Sequence, residues 1–250
     1  MTGRVDSTLS KGLSIIEALA TEAKGIGVSE LARNLELTKS NTFRLLQTLI
    51  AHGYVRQDQN KHYFATMKSW KIGQMIMEKL DLPRLSISQM QYLSSITGEA
   101  VYLSVLDGLS TLYIEKVEST KAIRTYTPKG GNAPIHCVAT GKALLAFNYE
   151  TLREKLIGNL GSYTDKTITT IEALDIEVEK IRETGVAIDL GEYRAEVISI
   201  AAPVFSANNE VIASIGISAP AINTPDEDID KIIHTVIQAG KSLSNTLKDI

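Results

Sequence analysis

Residues 28–53 constrain this chain more than any other stretch, because they hold two short helical patterns set almost end to end. Val28-Ser29 leads the first, with Ser29 as its expected N-cap and Leu31, Ala32 and Leu35 on its buried side. After Glu36-Leu37, Thr38 is placed to cap the second pattern, which runs to His52 and stops at Gly53. Ahead of them, Leu9, Leu13, Ile16, Leu19 and Ala20 recur at helical spacing over residues 8–21, and Gly25-Ile26-Gly27 breaks that helix. Behind them, Tyr54-Val55-Arg56 and His62-Tyr63-Phe64 flank the polar tip of residues 57–61, which reads as a β-hairpin. Three helices followed by a hairpin predict a winged helix-turn-helix.

The helix predicted over Thr38–His52 carries the chemistry of that arrangement. Phe43, Leu46, Leu49 and Ile50 are expected on its buried face, and Lys39, Ser40, Asn41, Arg44 and Gln47 on the leading one. Short hydroxyl and amide side chains at a helix start, with the free N–H groups there, can meet phosphates or base edges. Arg44 can pair two-pronged with guanine, and Asn41 or Gln47 with adenine. Ser29, Thr38 and the wing residue Lys61 are expected beside flanking phosphates. The bland alternative is that the same residues are caps and a solvated face. Charge weighs against it. The whole chain carries −3, but residues 1–80 hold 11 Lys and Arg against 7 Asp and Glu, leaving the remainder acidic. The attractive potential for phosphate therefore sits at the N-terminal end.

The rest of the chain mixes element types. Residues 67–80 read as a connecting helix that Pro83 ends or kinks, and a further helix runs from Leu85 to Thr97, closed by Gly98. Residues 100–106 and 111–117 flank Asp107-Gly108, a hairpin turn, and residues 121–127 are expected as another strand. Residues 129–134 are expected as a loop, and residues 141–147 open a helix. Residues 171–183 form a helix ending at Gly185, residues 197–205 and 211–218 form a second hairpin, and Thr224-Pro225-Asp226-Glu227 opens the last helix as a capping box. The fold class expected is α+β: residues 1–66 the winged helix-turn-helix, 67–84 a linker helix, and 85–250 an antiparallel sheet with flanking helices.

Three stretches make the chain similar to the IclR family of bacterial transcription regulators. One is Leu31–Leu49 ending in Gly53-Tyr54-Val55. Another is Gly185 followed by Asp189, Glu192 and Ser199-Ile200-Ala201-Ala202-Pro203-Val204-Phe205. The third is His136 with Ala139-Thr140-Gly141-Lys142-Ala143. The chain departs from the family pattern at Ser199, where cysteine is common, at Glu196, where glycine is common, and at Ser206, where Asp or Asn is usual. The resemblance implies a GAF-like effector-binding C-terminal domain and dimers or tetramers on palindromic double-stranded DNA operators. It further implies a small-molecule effector, a carboxylate or aromatic acid, held by Ala139, Thr140, Asp189, Ser199 and Ser218.

Physically, such a metabolite needs an apolar cavity with a few converging donors, and the helix start at Ala139-Thr140-Gly141 offers backbone N–H groups. Tyr102 and Arg124, on neighbouring predicted strands, would supply an aromatic wall and a cation. Glu192 is read as orienting backbone. Sharper readings weaken on inspection. Gly141-Lys142 is not a P-loop, since Ala143 replaces the hydroxyl that would ligate magnesium. Adjacent His136 and Cys137 make a poor nucleophile–base pair, and His136, Asp189 and Glu192 lack regular metal-ligand spacing. The function expected is a DNA-binding regulator, a repressor of catabolic genes, with no catalytic group, metal or cofactor and no membrane association. One cysteine and no leader pattern fit the cytoplasm. The competing class is a metabolite-binding protein or hydrolytic enzyme whose N-terminal domain serves only for association.

Overall fold

The computed structural model describes residues 6–77 and 81–248, apart from the side chains of Met77, Asp81, Asp226 and Glu227. The chain divides into two compact units, residues 1–80 and 81–250. Among the described residues no helix is long and apolar enough to cross a membrane.

In the first unit, α1 (Ser7–Thr21) is capped by Asp6, whose carboxylate accepts from the Thr8 and Leu9 amides. Then come β1 (Ile26–Gly27), α2 (Val28–Asn34), α3 (Lys39–Ala51), β2 (Val55–Gln57), β3 (His62–Ala65) and α4 (Lys68–Met77). Ile15, Leu19, Leu31, Leu46, Val55 and Tyr63 close a core beneath the helices and the sheet. The sheet has three strands, not two, because Ile26-Gly27 pairs with Tyr63-His62 on the outer edge of β3. A two-residue strand leaves no period to detect. Ser29 is not the cap expected of it. Gly27 occupies that position with no side-chain bond, and Ser29 lies inside the first turn of α2. The connecting helix is described as α4, and its expected end, residues 78–80, lies outside the described residues.

The second unit opens with α5 (Asp81–Thr97), which is already helical four residues ahead of the expected start at Leu85 and includes Pro83. The strands are β4 (Ala100–Asp107), β5 (Ser110–Val117), β6 (Asn132–Pro134), β7 (Ala187–Leu190), β8 (Val197–Phe205) and β9 (Val211–Pro220). They form one antiparallel sheet in the order β6-β5-β4-β9-β8-β7. Helices α6 (Ala139–Leu156) and α7 (Ile171–Thr184) share a core with Ala201, while Gly240 of α8 (Asp226–Lys248) meets Ala202. Consecutive strand residues face opposite sides, so helices cover both faces of β8. That explains its unbroken apolar run.

Several expectations need correction. Residues 121–127 are not a strand. Their backbone is met by side chains instead: Asn223 donates to the Ile123 carbonyl, and the Thr127 amide donates to Tyr102 Oη. Once those groups are satisfied, no ladder is required. Part of the expected loop at 129–134 is β6, which pairs with β5. Helix α6 begins at Ala139, two residues earlier than expected, and continues to Leu156. Thr224 closes a short 3₁₀ turn (Ala221–Asn223), and its buried Oγ1 has no hydrogen-bond partner, so it does not cap α8.

Candidate functional site

Two separate sites emerge, one in each unit. In the first, Thr38 caps α3 by accepting from the Asn41 amide at 3.3 Å. Thr42, Leu45 and Leu46 are the buried residues of α3, which leaves Lys39, Ser40, Arg44 and Gln47 exposed and Asn41 half-buried. Arg44 Nη2 donates to Asn41 Oδ1 at 3.4 Å, so two of the expected base readers sit side by side. Phe43 is a correction. It was expected in the core and is 49% exposed, on the flank of the leading face. Thr42, a residue that polarity alone assigns to solvent, takes the inward position and bonds back to the Thr38 carbonyl. Lys61 lies exposed at the wing tip with a left-handed φ of 62°, fixed by the Asp58 turn that accepts the His62 amide. Ser29 is exposed on α2.

In the second unit a narrow cleft is lined by Tyr102, Thr140, Asp189, Ser199 and Ser218, five of the six expected residues. Register explains why residues so far apart meet. Asp189 pairs with Ser199 across β7 and β8, and Ser199 with Ser218 across β8 and β9, so the three stand in one row. The sixth, Ala139, is buried behind the cleft, and its amide donates to Ser199 Oγ at 3.3 Å. Arg124 is exposed and bonds the Lys121 carbonyl. The cation in the cleft wall is Arg194, which sequence reasoning missed. Tyr113 and Tyr193 add aromatic wall, and burial pushes the Tyr113 hydroxyl up to about 12.

Asp189 is largely committed within its own chain. It accepts from the Gly191 amide at 3.0 Å, the Glu192 amide at 2.6 Å and Ser199 Oγ at 3.0 Å. Burial nevertheless raises its pKa above the ordinary carboxylate value, making it a weaker acid. Behind it lies a charge network absent from the sequence reading. Lys142, 1% exposed, reaches Glu177 and the Ile188 carbonyl at 2.7 Å each and also pairs with Glu192. Burial lifts the Glu192 carboxyl to about 7, with Lys142 pulling the other way. Glu192 thus faces Lys142 with its carboxylate and Asp189 with its amide. His136 bonds the Gly161 carbonyl at 3.0 Å, and burial raises the Cys137 thiol to about 12. Among the described residues, no three His, Cys, Asp or Glu side chains are grouped to hold a metal.

A three-helix unit presenting a polar helix face beside a wing, joined to an α+β unit with a polar cleft, defines a class: a DNA-binding regulator with a second, α+β domain. Two family profiles match, the bacterial transcriptional regulator IclR C-terminal domain over residues 74–245 and the IclR helix-turn-helix domain over residues 8–59. The chain belongs to the IclR family of DNA-binding transcription regulators. It is 33% identical over 241 residues to the HTH-type transcriptional regulator KdgR of Escherichia coli, covering 95% of this chain and 91% of that protein. Among solved structures it resembles Thermotoga maritima IclR, at 26% identity and a TM-score of 0.75, covering 96% of this chain and 98% of that one. An IclR homologue of Microbacterium hydrocarbonoxydans solved with 4-hydroxybenzoate shares the fold, at 20% identity and a TM-score of 0.81, over 98% of this chain and 100% of that one.

Proposed function

We propose that this regulator is a cytoplasmic repressor of catabolic genes that binds a palindromic operator as a dimer or tetramer. Residues 1–66 read the DNA, residues 67–84 link, and residues 85–250 bind a small carboxylate or aromatic acid, without catalysing its conversion. The observation that carries the reading is the face of α3, where Lys39, Ser40, Arg44 and Gln47 stand exposed together above an apolar core. Arg44, Asn41 and Gln47 read bases; Ser29, Thr38 and Lys61 hold phosphates. In the cleft, Thr140 and Ser218 offer donors near the start of α6, Tyr102 gives an aromatic wall, and Asp189 with Ser199 shapes the floor. The 4-hydroxybenzoate of the Microbacterium homologue is an acid of this class. Coupling between the two sites of about 1–3 kcal/mol is enough to change operator occupancy by one or two decades.

The test is binding of the full chain to duplexes from its own gene neighbourhood as salt is raised. Specific binding is expected to weaken steeply with salt, and Arg44→Ala to cost about 1–3 kcal/mol with loss of preference at one base pair per half-site. Salt-independent association would instead support the hydrolase or metabolite-carrier reading.

A further inference from the structure

Phe43 is out of place by every rule that orders the rest of α3. It is the single large apolar side chain on α3 that is exposed among the described residues, at 49%, while Leu45 and Leu46 are buried and Leu49 and Ile50 pack against the core. The core of the first unit does not use it. It belongs to the stripe Ser40, Phe43, Arg44, Gln47, whose i, i+3, i+4, i+7 spacing sets all four on one side of the helix. Its neighbours there are a hydroxyl, a guanidinium and an amide, so an apolar ring lies within the polar reading face. Among the described residues no aromatic ring or cation stacks on it.

The chemistry of a major groove supplies a partner for such a ring. Of the four bases only thymine presents a methyl group there, at C5, while most of the remaining groove edge consists of donors and acceptors. A phenyl ring one helical turn from the N-terminus reaches base edges and cannot hydrogen-bond to any of them. Resting on the proposed DNA-reading role of α3, we infer that Phe43 is a specificity-determining residue that selects a thymine in each half-site by packing on its C5 methyl. Gln47 and Arg44 on either side then hydrogen-bond the neighbouring pairs. This accounts for an exposed ring at a position that a polar residue would fill at no cost in solubility.

The experiment uses the full-length protein and a duplex it enriches from a random library. Each thymine of that duplex is replaced in turn by deoxyuridine, which removes only the methyl group. Wild type is expected to lose about fourfold in affinity at one thymine per half-site, the value of one methyl removed from water. Phe43→Ala is expected to bind the unmodified duplex more weakly and to show no further loss at that uracil. Phe43→Leu, which keeps an apolar tip, is expected to retain part of the sensitivity. Binding that ignores every methyl, or a Phe43→Ala protein that keeps the same uracil penalty, overturns the inference and leaves the DNA-reading role standing. A Phe43→Ala protein whose only change is a smaller or larger assembly in gel filtration overturns it in favour of a protein contact. A protein that enriches no duplex overturns both.

Discussion

At the scale of single residues, Lys142 is a side chain whose loss should be costly. Its ammonium is buried and meets two carboxylates and a carbonyl drawn from α7, β7 and the segment that follows it. Truncation leaves Glu192 buried without its counter-charge, and such half-broken pairs cost about 3–5 kcal/mol. Lys142→Met is therefore expected to lower stability by that order in urea unfolding, and adding Glu192→Met to restore much of it. Two neighbours also make stability depend on pH, with opposite signs. Burial holds His136 below its ordinary 6.5, so the unfolded chain takes up this proton first, and stability drains away as pH falls through about 6.5. Glu192, raised from 4.5 to about 7, takes up its proton first in the folded state, so its contribution falls as pH rises across that interval. In His136→Gln the Glu192 trend remains, with the raised Asp189 acting in the same direction. Its urea midpoint should be higher at pH 5.5 than at pH 7.5, and the opposite ordering would contradict the assignment.

At the scale of elements, α6 shows how close approach can override intrinsic preference. Alanine is the better helix former by about 1 kcal/mol. A Cβ on Gly141, however, would stand 2.6 Å from the Ile135 carbonyl oxygen and 2.8 Å from its Cα. Both are backbone atoms that cannot rotate aside. Gly141→Ala should therefore destabilise by about 1–3 kcal/mol, as overpacking does, read as a lower thermal midpoint. What the sequence made legible follows the same division between local and distant causes. The long amphipathic helices and the three hairpins show in periodicity and turn residues, because those signals are written within one element. Strands β1 and β7 are too short for a period and exist through their partners. Residues 121–127 have strand-like composition, yet Asn223 and Tyr102 claim their backbone from afar. On α3 the pattern gave the right face within one position. Thr42 and Phe43 are exchanged because a threonine that bonds its own helix is cheap to bury. In the cleft, Asp189, Ser199 and Ser218 were nameable through family likeness alone, since strand register is invisible to spacing, and Arg194 and Lys142 carried no signal of their own.

At the scale of the whole molecule, opposite charge is sorted between the units. Residues 1–80 are net positive and the remainder net negative, which confines attraction for a polyanion to the part bearing α3. The ligand binding proposed for the acidic unit carries a stability consequence. A carboxylate present at about a hundred times its dissociation constant should stabilise the full chain by about 2.7 kcal/mol, seen as a rise in thermal midpoint. Thr140→Val keeps the volume and removes the hydroxyl, and it should erase most of that rise if the cleft is where the ligand sits.

The wiring of Asp189 bears on how quickly this cleft can respond. Gly191 and Glu192, which precede the wall residues Tyr193 and Arg194, are tied by their amides to Asp189 and by their carbonyls to the hydroxyls of Thr164 and Thr167. That wall cannot swing aside unless several of these bonds part together. For the metabolite proposed to bind here, slow parting of these bonds would lengthen its stay, and with it the time the regulator retains a signal after the supply of that metabolite has fallen.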